Sequence, residues 1–171
     1  MLAKVLGSAV IGIEAIRVTI EVNVETGINF VLVGLPDASV KESQHRIACA
    51  LRAVGLKWPG RQIVINMAPA DIKKEGAAYD LPLSIGILAA CGQIPMNCLE
   101  ESLFMGELSL DGALRPVRGA LCMTIRAKEE GLRRIYLPEQ NFAEASCIPG
   151  IQVIPVRHLR ELIDHCRTGS G

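Results

Sequence analysis

Leu103-Phe104-Met105-Gly106-Glu107-Leu108-Ser109-Leu110-Asp111-Gly112-Ala113-Leu114-Arg115-Pro116-Val117 places an Asp-Gly pair between two strand-like runs. A two-residue type I′ turn needs positive φ at both central positions, and Asp-Gly meets that demand. A tight hairpin is therefore expected, with 103–110 as one arm and 113–117 as the other. Upstream, residues 62–67 form a short apolar strand, and Asp80 can cap a helix that tolerates Pro82 in its first turn. That helix runs through Leu83, Ile87 and Leu88 to Gly92.

Further towards the N-terminus, Ile16, Val18, Ile20, Val22 and Val24 alternate with Arg17, Thr19, Glu21 and Asn23, the period of a half-buried strand. Thr26-Gly27 turns the chain into a second strand, 29–33, and the two are expected to form a hairpin. After Gly34-Leu35-Pro36, either Asp37 or Ser39 can cap a helix; Ser39 with Glu42 fits a capping box ahead of Val40, Ile47, Leu51 and Val54, and Gly55 closes it.

Downstream of the Asp-Gly hairpin come a helix over 119–130 stopped by Gly131, a strand over 134–137 and a short helix after Pro138. A strand over 152–156 and a last helix over 157–166 complete the order. Strands first, then helices alternating with strands, indicate an α/β (α+β) fold, a mixed sheet with covering helices. Residues 1–166 read as one domain and 167–171 as a linker or tail.

Of 171 residues half are hydrophobic, ample for a core, and 18 basic residues balance 18 acidic ones. No global field draws such a chain to nucleic acid or to an anionic membrane. Six cysteines lie scattered without a CxxC pair and only three histidines accompany them, so zinc is not suggested; buried thiols in a reducing cytoplasm are expected. No window approaches the about 18 apolar residues that span a bilayer, and no membrane partner is expected.

Neither G-x-x-x-x-G-K-[ST] nor G-x-G-x-x-G occurs, so no nucleotide-phosphate cradle, and hence no cofactor, is expected in this segment. Ile72-Lys73-Lys74-Glu75-Gly76-Ala77-Ala78-Tyr79-Asp80 is a polar loop between a buried strand and a buried helix, a common mounting for function. It reads either as a solvated connection or as a weak phosphate contact through Lys73 and Lys74, with Lys41 and Arg46 as further candidates.

This loop and the Asp-Gly hairpin resemble the proteolytic domain of Lon and the Lon-like domain of RadA, over about residues 66–165. In Lon the loop reads Lys-Asp-Gly-Pro-Ser-Ala-Gly and carries the nucleophilic serine; a later helix opening Gly-Gly-Leu-Lys carries the general-base lysine. The matching segments here are 74–80 and 118–121, which put Ala78 at the nucleophile position and Leu121 at the base position. Neither a methyl nor an isobutyl group can attack a carbonyl or take a proton, so the resemblance implies no catalytic residue. Ser84, inside an apolar helix, is expected to bond back to a carbonyl and not to replace the nucleophile.

Gly34-Leu35-Pro36-Asp37-Ala38-Ser39-Val40-Lys41-Glu42-Ser43, Asn66-Met67-Ala68-Pro69-Ala70-Asp71 and Ala78-Tyr79-Asp80-Leu81-Pro82 resemble the magnesium-chelatase-like ComM/YifB family of AAA+ ATPases. That resemblance implies a Lon-like, ribosomal-protein-S-five-second-domain-like fold at the N-terminus of a longer protein. It further implies an ATPase module that binds Mg-ATP outside this segment, homo-hexameric ring neighbours, and DNA branch migration by the whole. The alternatives are an active Ser-Lys peptidase and a free-standing nucleic-acid-binding module.

Overall fold

The computed structural model describes residues 1–169. Its first two strands, β1 (Leu2–Ile11) and β2 (Glu14–Glu25), fold back at Gly12-Ile13 and pair antiparallel from Leu2↔Asn23 to Ile11↔Glu14. Val18, Ile20, Val22 and Val24 of β2 are buried, as their alternation predicts. Next come β3 (Phe30–Val33), β4 (Gln62–Ala68) and β5 (Ser102–Phe104). A separate two-stranded ribbon holds β6 (Glu107–Leu108) and β7 (Leu114–Arg115), and β8 (Arg134–Pro138) and β9 (Gln152–Val156) follow. The main sheet has seven strands in the order β3-β4-β2-β1-β5-β8-β9, with antiparallel pairing around β2 and parallel pairing towards both edges.

The expected hairpin between 16–24 and 29–33 does not form, because β4 lies between β2 and β3. β3 pairs parallel to β4 through a helical crossover, and a parallel pair requires such a long connection. The hairpin partner of β2 is instead β1, whose apolar run carries Lys4 as its one charge and so shows little polar alternation.

Helices cover both faces: α1 (Ala38–Lys41), α2 (Ser43–Ala53), α3 (Asp80–Ala90), α4 (Ala120–Glu129), α5 (Phe142–Ala145) and α6 (Leu159–Thr168). Every residue of α3 is buried. It settles on the sheet at Gly86, where an added Cβ would stand 2.7 Å from Val22 Cγ2 and 3.0 Å from Val5 Cγ2. α4 covers the opposite face, with Gly119 against Val10 at its start and Arg17 3.5 Å from Glu130 at its end.

Local capping differs in detail from expectation. Asp37, not Ser39, caps the first helix by accepting the Val40 N–H at 2.8 Å, and the helix breaks at Glu42. A carboxylate makes the stronger, charge-assisted bond to a helix N-terminus, which decides between the two candidates. The Asp-Gly hairpin forms, but only Gly112 of the pair has positive φ, +95°. Ser109 accepts from the Gly112 N–H (3.0 Å) and donates to the Ala113 carbonyl (2.8 Å), a type I turn followed by a glycine bulge rather than type I′. Its shape is set by His158, whose ring donates to the Asp111 carbonyl at 2.8 Å and fills the space beside Gly112.

At the C-terminal end α6 runs to Thr168 and closes at Gly169, φ +66°, so the expected tail from 167 gives its first residues to the helix. Ser170 and Gly171 lie outside the described residues. Cys98 and Cys166 form a disulfide that joins the turn Met96–Leu99 to α6, which corrects the expectation of six thiols. No described helix is long and apolar enough to cross a membrane.

Candidate cleft beside the loop 69–79

The loop after β4 is fastened to the turn after β3 from several sides. Lys74 N–H donates to Leu35 O and Asp37 N–H to Lys74 O, both at 2.9 Å, and Asp37 Oδ2 accepts the Gly76 N–H at 3.1 Å. The Lys74 side chain is fully buried, and its ammonium donates to the carbonyls of Gly34 (2.7 Å) and Pro69. Burial lowers its pKa, against the opposing charge of Asp71. Lys74 is thus a bolt between strand ends and offers nothing to a phosphate.

Arg46 is engaged as well. Its Nε and Nη2 donate to the two carboxylate oxygens of Asp80 at 2.7 and 3.0 Å, and Nη2 also to Ser39 O at 2.6 Å. Asp80 does not cap α3 with its side chain; fully buried, it turns to Arg46 and accepts the Leu108 N–H at 3.1 Å. One carboxylate so ties α2, α3 and β6 together. Burial pushes its pKa up to about 6, against the pull of Arg46 and of the Leu108 amide. Of the four expected phosphate contacts, Lys41 and Lys73 remain exposed, and Lys73 lies 3.7 Å from Glu75. Reversing both charges, Lys41→Glu with Lys73→Glu, is expected to change unfolding free energy by less than about 0.5 kcal/mol in urea titrations. Lys74→Glu should abolish cooperative unfolding by leaving two buried carbonyls without a donor and adding a buried charge.

Beside this loop lies a cleft of about 760 Å³. Residues 8–11 of β1 form one wall, the loop with Gly76 and Ala78 another, and Val117, Arg118 and Met123 a third. Ala78 is half-buried on the wall. Leu121, 38% exposed on α4, stands outside the lining. Ser84 is fully buried and donates to Leu81 O at 2.8 Å, the carbonyl back-bond expected of it. Asp71, Glu75, Glu107, Lys73 and Arg118 supply the charges of the lining. Tyr79 is buried, and its phenol is pushed up by burial and by the carboxylates of Asp37 and Glu75.

A family model described as subunit ChlI of Mg-chelatase matches residues 20–141. The chain belongs to that family. The chain is similar to the competence protein ComM of Haemophilus influenzae, 43% identical over 148 residues, 86% of this chain and 29% of that protein. It is also similar to the protein YifB of Escherichia coli, 40% identical over 153 residues, 89% of this chain and 30% of that one. Lon protease 2 of Bacillus subtilis is 30% identical over 125 residues, 72% of this chain and 22% of the protease. The chain spans about a third of the length of the curated relatives ComM and YifB. The resemblance read from 34–43, 66–71 and 78–82 was therefore to the right family. What it did not reveal is that β1 walls the cleft, since nothing local marks 8–11 as facing a loop about 60 residues further along the chain.

Proposed function

We propose that this ChlI-like chain is a non-catalytic interaction domain of a hexameric AAA+ ATPase, serving ring assembly for a motor that acts on DNA. One observation carries the reading: Ala78, at the position matching the Lon nucleophile, stands on the wall of the cleft, and Leu121, at the position matching the base, lies outside its lining. An oxygen nucleophile and an amine base are what hydrolysis of a peptide by that route requires. On this proposal the ATPase module with its Mg-ATP lies outside this segment, which covers 29% of ComM and 30% of YifB. Support for direct DNA contact is small, since Lys74 and Arg46 are engaged inside the fold.

Incubation with unfolded casein and with a fluorophosphonate serine probe is expected to give neither peptides nor labelled protein. Labelling that disappears in Ser84→Ala would overturn the reading. For DNA, anisotropy of a labelled oligonucleotide should show weak binding with a log-log salt slope no steeper than about −2, since Lys41 and Lys73 supply two phosphate contacts at most. Nanomolar binding by this chain would contradict it.

A further inference from the structure

At the cleft, among the described residues, the outer edge of β1 runs on past the end of its neighbour β5. Met1 and Val24 exchange both main-chain hydrogen bonds, 2.9 and 3.2 Å, and the register runs on without a slip to Ile11↔Glu14. Exchanging pairs alternate along an antiparallel ladder, so the odd residues of β1 bond to β2 and the even ones turn N–H and C=O to the other edge. On that edge β5 meets β1 at Leu6↔Leu103 and goes no further. The chain then departs: Met105 N–H bonds to Tyr136 O at 3.2 Å, and Gly106 N–H to Ala78 O at 2.8 Å. The Ser8 carbonyl, whose donor in a continued ladder would be the Gly106 N–H, and the main-chain groups of Val10 therefore face the cleft that residues 8–11 line.

We propose that this edge captures an extended polypeptide segment, which adds a strand beside residues 8–10 and lies in the cleft. The complement of alternating main-chain donors and acceptors is another extended main chain. Ala77 and Ala78 on the facing loop leave room for its side chains, and Val10, Met105 and Met123 give them apolar contact. Three carboxylates, Asp71, Glu75 and Glu107, stand in the lining against two cations, Lys73 and Arg118. That balance suits a segment carrying basic residues among apolar ones and disfavours phosphates. The proposal rests on the non-catalytic reading in that the captured segment leaves uncut.

The test uses the whole chain and a fluorescein-labelled eight-residue peptide alternating valine and lysine, followed by anisotropy. Two further peptides carry N-methyl groups on the valine amides or on the lysine amides, so that one of them blocks the ladder and the other does not. Saturable binding is expected, weakened at least about tenfold by one methylation pattern and little by the other. Ala78→Trp should weaken it by a similar factor; because that variant can also disturb the loop, the peptide pair decides. No saturation up to about 1 mM, equal effects of the two patterns, or equal competition by an oligothymidine overturns the proposal. Mass spectrometry of the recovered peptide separates the two readings. A cut peptide would sink the non-catalytic reading with capture intact, whereas absent binding sinks capture alone.

Discussion

Gly34→Ala is expected to yield almost no folded protein. Gly34 has φ +108°, and a Cβ added there would lie 2.1 Å from Met67 O and 2.9 Å from Met67 C. Both contacts are to the backbone of β4, which is held on one side by β2 and on the other by β3, so the neighbour cannot yield. The carbonyl of Gly34 also receives the buried Lys74 ammonium, so any shift of the turn uncouples that bond. Together these place the substitution in the rare class above about 4 kcal/mol, much of the stability of an ordinary domain. Gly55→Ala is the control: its φ is +81° with nothing within 4 Å of the added Cβ. Backbone strain alone should cost about 1–2 kcal/mol there. Urea unfolding followed by circular dichroism compares them, and a Gly34→Ala protein as stable as Gly55→Ala would contradict the described turn.

Arg46→Ala should lower stability by about 3 kcal/mol, because it leaves the Asp80 carboxylate buried without its partner. For a chain of this size that corresponds to a fall in Tm of roughly 6–12 °C. Arg46→Lys keeps the charge but loses the bidentate geometry, and an intermediate loss is expected. The deficit should also depend on pH. The folded carboxyl is already raised to about 6, above its unfolded value, so its ionisation costs stability at neutral pH. That cost is relieved as pH falls through the folded value towards the usual carboxylate range near about 4. Without Arg46 the opposing pull disappears and the folded value rises further, so the deficit of Arg46→Ala should shrink between about pH 7 and about pH 5. Melting curves of both proteins across that range test it, and a deficit that stays constant would remove Asp80 from the explanation.

Local chemistry made much of the chain legible. The alternation in 16–24, the glycine stops at Gly55 and Gly131 and the Asp-Gly turn each produce a recognisable pattern because the interactions involved span a few residues. Even there, competition between nearby groups was settled by the fold: Asp37 prevailed over Ser39 as a cap, and its second oxygen was drawn to Gly76, 39 positions on. Charge was the least legible property. Lys73 and Lys74 are adjacent and chemically alike, yet one is a solvated surface group and the other a buried bolt. Arg46 looked like a surface cation and is half of an ion pair across 34 residues.

From residue types alone followed the α/β class, the family, and the hydrocarbon side chains where Lon has its dyad, since each depends on identity and short spacing. Which strands neighbour each other, that β1 runs beside β2 and past the end of β5, and that its open edge meets the loop of Ala78, came from packing. Strand periodicity reports which face is buried and is silent on which edge is paired, because side chains alternate across a strand while its hydrogen bonds lie in the plane of the sheet.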